Sequence, residues 1–78
     1  DLKKIDAAEN YLRQLGLRQI RVRLHKDIAR LELLPGDHGK VIRLRDSITD
    51  RLKSLGFVYV ALDLAGYRTG SMHEAVRI

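Results

Sequence analysis

Ile20-Arg21-Val22-Arg23-Leu24-His25-Lys26-Asp27-Ile28-Ala29-Arg30-Leu31-Glu32-Leu33 decides the fold, because it is two alternating segments joined by a short polar centre. Ile20, Val22 and Leu24 alternate with Arg21 and Arg23, and Ala29, Leu31 and Leu33 alternate with Arg30 and Glu32. Successive strand residues point to opposite faces, so each segment reads as a half-buried strand, over residues 17–24 and 28–34. His25-Lys26-Asp27 is short and polar enough for a hairpin loop. Pairing Leu24 with Ala29 sets Val22 against Leu31 and Ile20 against Leu33, so the apolar sides coincide. A one-residue slip mixes the faces. The same register places Arg21 opposite Glu32 and Arg23 opposite Arg30 on the polar side.

Outward from the hairpin, the period changes. Ile5, Ala8, Leu12 and Leu15 recur at spacings of three and four, predicting a helix over residues 2–15 with Lys3, Lys4, Glu9 and Arg13 facing away. Gly16 suits the left-handed position that ends it. After Pro35-Gly36-Asp37, residues 38–44 suit a short helical turn, and a clearer helix covers about 47–55, capped by Asp46 or Ser47. Ile48, Leu52 and Leu55 form its buried stripe, and Gly56 closes it. Residues 57–64 predict a third strand, with Val58, Val60, Leu62 and Leu64 on one side and Tyr59, Ala61 and Asp63 on the other. Gly66–Glu74 carries two glycines without periodicity and reads as a loop, and Ala75–Ile78 as a short strand or a frayed tail. The order α-β-β-α-β predicts an α+β two-layer sandwich: two main helices on one face of a three-stranded, mostly antiparallel sheet with the first strand in the middle.

Seventy-eight residues make a single domain, 1–78, with room for one core and a groove. Forty-five per cent apolar and 32% charged residues argue against disorder. No apolar run approaches the ~20 residues needed to cross a bilayer. The absence of cysteine removes disulfides, a thiolate nucleophile and thiolate zinc ligation together. The first residue is Asp1, which suggests a piece of a longer protein. The net charge is +5, and ten of the fifteen basic residues are arginines, whose planar fork matches phosphate and carboxylate. Such a surface suits an anionic partner, whether nucleotide, nucleic acid or acidic protein, or serves only solubility.

The sheet face away from the helices collects Arg21, Arg23, Arg30, Glu32, Tyr59 and Asp63. Arg21 and Arg23 project in one direction roughly 7 Å apart, from a rise of about 3.3 Å per residue. Two guanidinium forks at that distance can grip one phosphate or carboxylate. Glu32 can orient Arg21, or ligate a metal if another carboxylate approaches. The competing reading is a solvated face of cross-strand ion pairs, each contributing only ~0.2–1 kcal/mol. The Gly66–Glu74 loop offers backbone donors with Arg68 and Ser71, or is simply a glycine-rich exit from the last strand. His25, His38 and His73 lack metal-ligand spacing, and Ser47, Ser54 and Ser71 lack a readable catalytic triad.

Three motifs then resemble a known family. Leu15-Gly16-Leu17-Arg18-Gln19-Ile20-Arg21-Val22-Arg23 followed by Ile28-Ala29-Arg30-Leu31-Glu32-Leu33 is similar to its "LGF-x-x-VRVR" and "ARIE" patterns. Leu52-Lys53-Ser54-Leu55-Gly56-Phe57-Val58-Tyr59-Val60-Ala61-Leu62-Asp63-Leu64 resembles "LK-x-LGF-x-YV-x-LDL", and Gly66-Tyr67-Arg68-Thr69-Gly70-Ser71-Met72 resembles "GYR-x-GSMN". In this order they look like the C-terminal region of the LarE family, PP-loop sulfur transferases that help make the nickel-pincer nucleotide cofactor of lactate racemase. The resemblance implies an accessory domain, non-catalytic by itself, beside an upstream PP-loop domain using ATP and Mg, with nickel or another divalent metal as a further implied cofactor. It implies a cytoplasmic protein, no membrane partner, and a phosphate-bearing small molecule as ligand. It matches Arg21 and Arg23 to paired arginines at an anion site, Glu32 to an active-site acid with a metal role, Arg68 and Ser71 to the terminal motif, and Glu9 to a further acidic position. His73 stands where the family pattern has asparagine, and residues 36–46 follow the pattern loosely. Beside this stand an RNA-binding module using the basic sheet face with Tyr59, and a homo-oligomerisation domain.

Overall fold

The computed structural model describes residues 2–67. Helix α1 spans Leu2–Gln14, strand β1 Ile20–His25 and strand β2 Ile28–Leu33. A 3-10 turn at Pro35–Asp37 leads into α2, His38–Arg43, then α3, Arg45–Ser54, and strand β3, Tyr59–Leu62. The α+β architecture expected from the alternating periods is present.

The hairpin register agrees with the sequence reading at every pair: Ile20 with Leu33, Arg21 with Glu32, Val22 with Leu31, Arg23 with Arg30 and Leu24 with Ala29. His25 pairs with Ile28, so the loop tightens to Lys26-Asp27, and Lys26 takes a positive φ of 54°. Val22, Ala29, Leu31 and Leu33 are buried with Ala8 and Leu12 of α1, Ile48 and Leu52 of α3, and Phe57. Gly16 and Gly56 end α1 and α3 at positive φ. At both junctions the residue after the glycine, Leu17 or Phe57, bonds back to a carbonyl inside the helix, Leu12 or Leu52, and turns its side chain into the core.

The strand order corrects one expectation. β2, not β1, is central: β1 pairs with it antiparallel over six positions and β3 pairs with it parallel over four. The reason is the connection from 34 to 58, which carries α2 and α3 across the apolar face and returns the chain to the starting end of β2. Parallel pairing needs such a crossover, whereas a hairpin cannot supply it. A central strand has a neighbour along each edge, and with Arg23 and Arg30 paired to its carboxylate even Glu32 is buried at 4% exposure.

Smaller differences follow from the same packing. α3 begins at Arg45 directly after Leu44, with no side-chain cap, so Asp46 lies in its first turn and neither Asp46 nor Ser47 caps it. β3 is shorter than 57–64, and Leu64 sits in a turn at 83% exposure, not on the buried side. Asp63 makes that turn, its side chain accepting from the Ala65 N–H while its carbonyl accepts from Gly66 N–H. Two α1 residues expected to face water do not. Lys4 donates to the Gly56 carbonyl at 3.0 Å and lies over the Phe57 ring, and the Glu9 side chain is only 13% exposed.

Candidate functional site

The polar face of the sheet brings together the expected residues, but with different partners. Arg21 lies opposite Glu32 in register, yet the Glu32 carboxylate pairs with Arg23 at 3.6 Å and Arg30 at 3.1 Å. Arg30 extends the cluster to Asp63, which follows β3, and its Nε donates to His25 Nε2 at 3.1 Å. Arg23 and Arg30 are directly opposed like charges, an arrangement that is unfavourable alone. Glu32, diagonal to one and two positions from the other, resolves it. Tyr59 stands 65% exposed on the same face.

Glu32 is the one buried charged residue among the described positions. A buried carboxylate requires paired cations, and Arg23 and Arg30 supply them while remaining about a third exposed. The guanidiniums thus sit beside the carboxylate on the side from which a ligand would approach it. Among the described residues no three His, Asp or Glu side chains come together to hold an ion.

Arg21 takes no part in that cluster. It lines a second feature, a cleft of about 620 Å³ between α1 and β1, with Glu9 and Arg13 from the helix, Arg18 from the connecting segment, and Tyr67. β1 is an edge strand, and Glu9 satisfies part of its free edge: its Oε2 accepts from Val22 N–H at 2.9 Å. Its Oε1 faces Arg13 at 3.5 Å. Neither the Arg18 nor the Arg21 side chain makes a hydrogen bond or ion pair among the described residues. Periodicity alone misses Glu9, which it assigns to solvent; the visible signal is its place beside Ala8, at the margin of the apolar stripe.

Tyr67 reaches the cleft because the chain passes close to the end of β2. Its N–H donates to the Leu33 carbonyl at 2.6 Å. Gly66 makes that approach possible: it is buried at φ +85°, and a Cβ there would lie 2.6 Å from the same carbonyl. Only glycine tolerates both conditions. Arg68 and Ser71 of the terminal motif, and His73, lie outside the described residues.

No protein-family profile matches the chain. Three curated proteins resemble it. The pyridinium-3,5-bisthiocarboxylic acid mononucleotide synthase of Lactiplantibacillus plantarum is 45% identical over 76 residues, covering 97% of this chain and 28% of that protein. An uncharacterised protein of Synechocystis sp. is 35% identical over 96% of the chain and 29% of its own length. An uncharacterised protein of Methanocaldococcus jannaschii is 38% identical over 88% and 27%. The chain thus spans less than a third of the relatives it matches. Motifs and overall identity agree along nearly its whole length, and together they support a LarE-like domain.

Proposed function

We propose that this domain serves a LarE-type, ATP-using sulfur transferase by positioning the anionic group of a nucleotide-like substrate through Arg21 and Arg23. The observation that carries the reading is the contrast along one edge strand. Arg23 is held in place by the buried Glu32, while Arg21, two residues away on the same face, has no internal partner among the described residues. The similarity to a mononucleotide synthase supports a phosphate-bearing ligand. In the whole protein, an upstream PP-loop domain would supply the ATP and Mg chemistry, this chain forming the C-terminal part in the cytoplasm.

The arithmetic suits positioning more than tight capture. Two charge-assisted hydrogen bonds of about 1.5–3 kcal/mol each correspond to a dissociation constant on the order of 1 mM. An NMR titration with inorganic phosphate tests this: amides over residues 20–32 shift in a saturable manner, and Arg21→Ala removes the shift. Unchanged spectra up to high phosphate would refute the reading.

Exposed Tyr59 favours a second reading, single-stranded RNA stacked on the sheet face. One ring makes a small platform, and Asp63 borders the same face. A salt-dependent gel shift with single-stranded RNA separates the two readings, and sedimentation tests a homo-oligomer.

A further inference from the structure

β3 is an outer strand of the sheet, and among the described residues its far edge has no neighbour. Tyr59 and Asp63 spend their N–H groups on the Asp27 and Leu31 carbonyls. Backbone groups alternate in direction along a strand, so Val60 and Leu62 turn theirs to the free edge. The devices that blunt such an edge are missing, since Val58-Tyr59-Val60-Ala61-Leu62 holds neither a charge nor a proline. Val58 and Tyr59 are both exposed. Beside the edge lies a groove of about 130 Å³, lined by Val41, Ile42, Ile48, Val60 and Leu62, of which Ile42 is exposed. Arg45, the one charged member of its wall, is turned back on the Ile42 carbonyl at 3.3 Å.

We propose that two copies of this chain pair edge to edge through β3, antiparallel about a two-fold axis at Val60, so that their sheets become one. Directly opposed residues of antiparallel strands share a face, which leaves two symmetric registers centred on this strand. With Val60 opposite its own copy, Leu62 meets Val58 and Ala61 meets Tyr59. Every cross-strand pair is then apolar, and exposed Val58 and Tyr59 are covered. With Ala61 on the axis, Tyr59 meets Asp63, whose carboxylate Arg30 already holds, and Val58 stays in water. The first register also brings the outward N–H and C=O of each Val60 against those of the other. Charge decides for a second copy over an unlike segment. A neutral edge selects neither an acidic nor a basic partner, whereas it matches itself about a two-fold axis. Each copy carries a net charge of +5, so the pairing strengthens as salt screens the repulsion. That sign is opposite to the salt dependence of nucleic-acid binding. The arginines of β1 take no part, so the pairing stands or falls independently of the preceding reading.

Sedimentation of the 78-residue chain tests it. The average mass climbs toward that of a dimer over a roughly hundredfold rise in concentration, and climbs further in high salt. The chain has no cysteine, so Val60→Cys introduces a single thiol. Mild oxidation joins it to its counterpart, because directly opposed strand residues lie within disulfide reach. Ala61→Cys, two positions out of step with its own copy, stays unlinked. Tyr59→Lys combined with Ala61→Lys sets like charges opposite each other twice on an exposed face, weakening the dimer roughly tenfold, while circular dichroism reports the retained fold. A chain that remains monomeric at every concentration and salt overturns the proposal. So does Ala61→Cys linking in preference to Val60→Cys, or a dimer indifferent to the double lysine variant.

Discussion

Arginines occupy two settings in this chain, and what faces them differs. On the open face of the sheet, Arg23 and Arg30 close around Glu32, and Arg30 reaches on to Asp63. At the α1–β1 cleft, Arg18 and Arg21 face a carboxylate whose two oxygens are taken. In the first setting charge is neutralised within the fold, so the side chains are ordered and their loss is felt as stability. In the second the charge is left over, so under the proposed function loss is felt as binding. Counting arginines does not distinguish these roles; the saturation of the nearby carboxylates does.

Breaking the closed setting has the largest expected effect. Glu32→Ala leaves Arg23 and Arg30 opposed across the strands, and removes the carboxylate from a buried position. The loss is about 3 kcal/mol in urea unfolding, the low end for a broken buried pair, because both arginines keep about a third of their surface in water. A loss under about 0.5 kcal/mol, the level of an ordinary surface change, would show the cluster to be ornamental.

Gly66→Ala probes how the chain is brought to the rim of the open setting. A methyl group there meets the Leu33 carbonyl at φ +85°, and strain of this kind costs roughly 1–3 kcal/mol. Thermal unfolding and the Tyr67 resonances report it together. Retained stability with unmoved Tyr67 signals would contradict the close approach.

Glu9→Ala removes an acceptor from Val22 N–H and the anchor of Arg13. The expected cost is about 1 kcal/mol, accompanied by faster hydrogen exchange at Val22. Tighter phosphate binding is also expected, since a negative charge leaves the cleft. Unchanged exchange at Val22 would deny Glu9 its place at the strand edge.

Arg18→Ala has the smallest effect on stability, within about 0.5 kcal/mol, because no internal partner is lost. A larger drop in denaturant unfolding would place Arg18 in the closed class and erase the distinction between the two settings.

The hairpin was legible in the sequence because its information is local. Two alternating segments of similar length admit one register that keeps Leu24, Val22 and Ile20 against Ala29, Leu31 and Leu33. The helix stripes were equally readable: Ala8 and Leu12, and Ile48 and Leu52, are buried where their spacing puts them. The polar residues were harder. Alternation assigned Glu32 to an uncovered face without revealing that arginines bury it, and helical periodicity sent Glu9 to solvent. An acidic residue at the margin of an apolar stripe carries no mark of whether a strand edge will stand beside it.

The sequence by itself determined the α+β class, the hairpin register and the division of the sheet into an apolar and an arginine-bearing side, since these follow from periods of two and 3.6 residues. Only the tertiary structure decided that β2 is central, that β3 runs parallel to it, and which carboxylate each arginine meets. Those choices depend on where a long crossover returns the chain and on distances between side chains far apart in sequence, such as Glu9 and Val22. Local pattern fixes which way a side chain points, but packing fixes what it finds there.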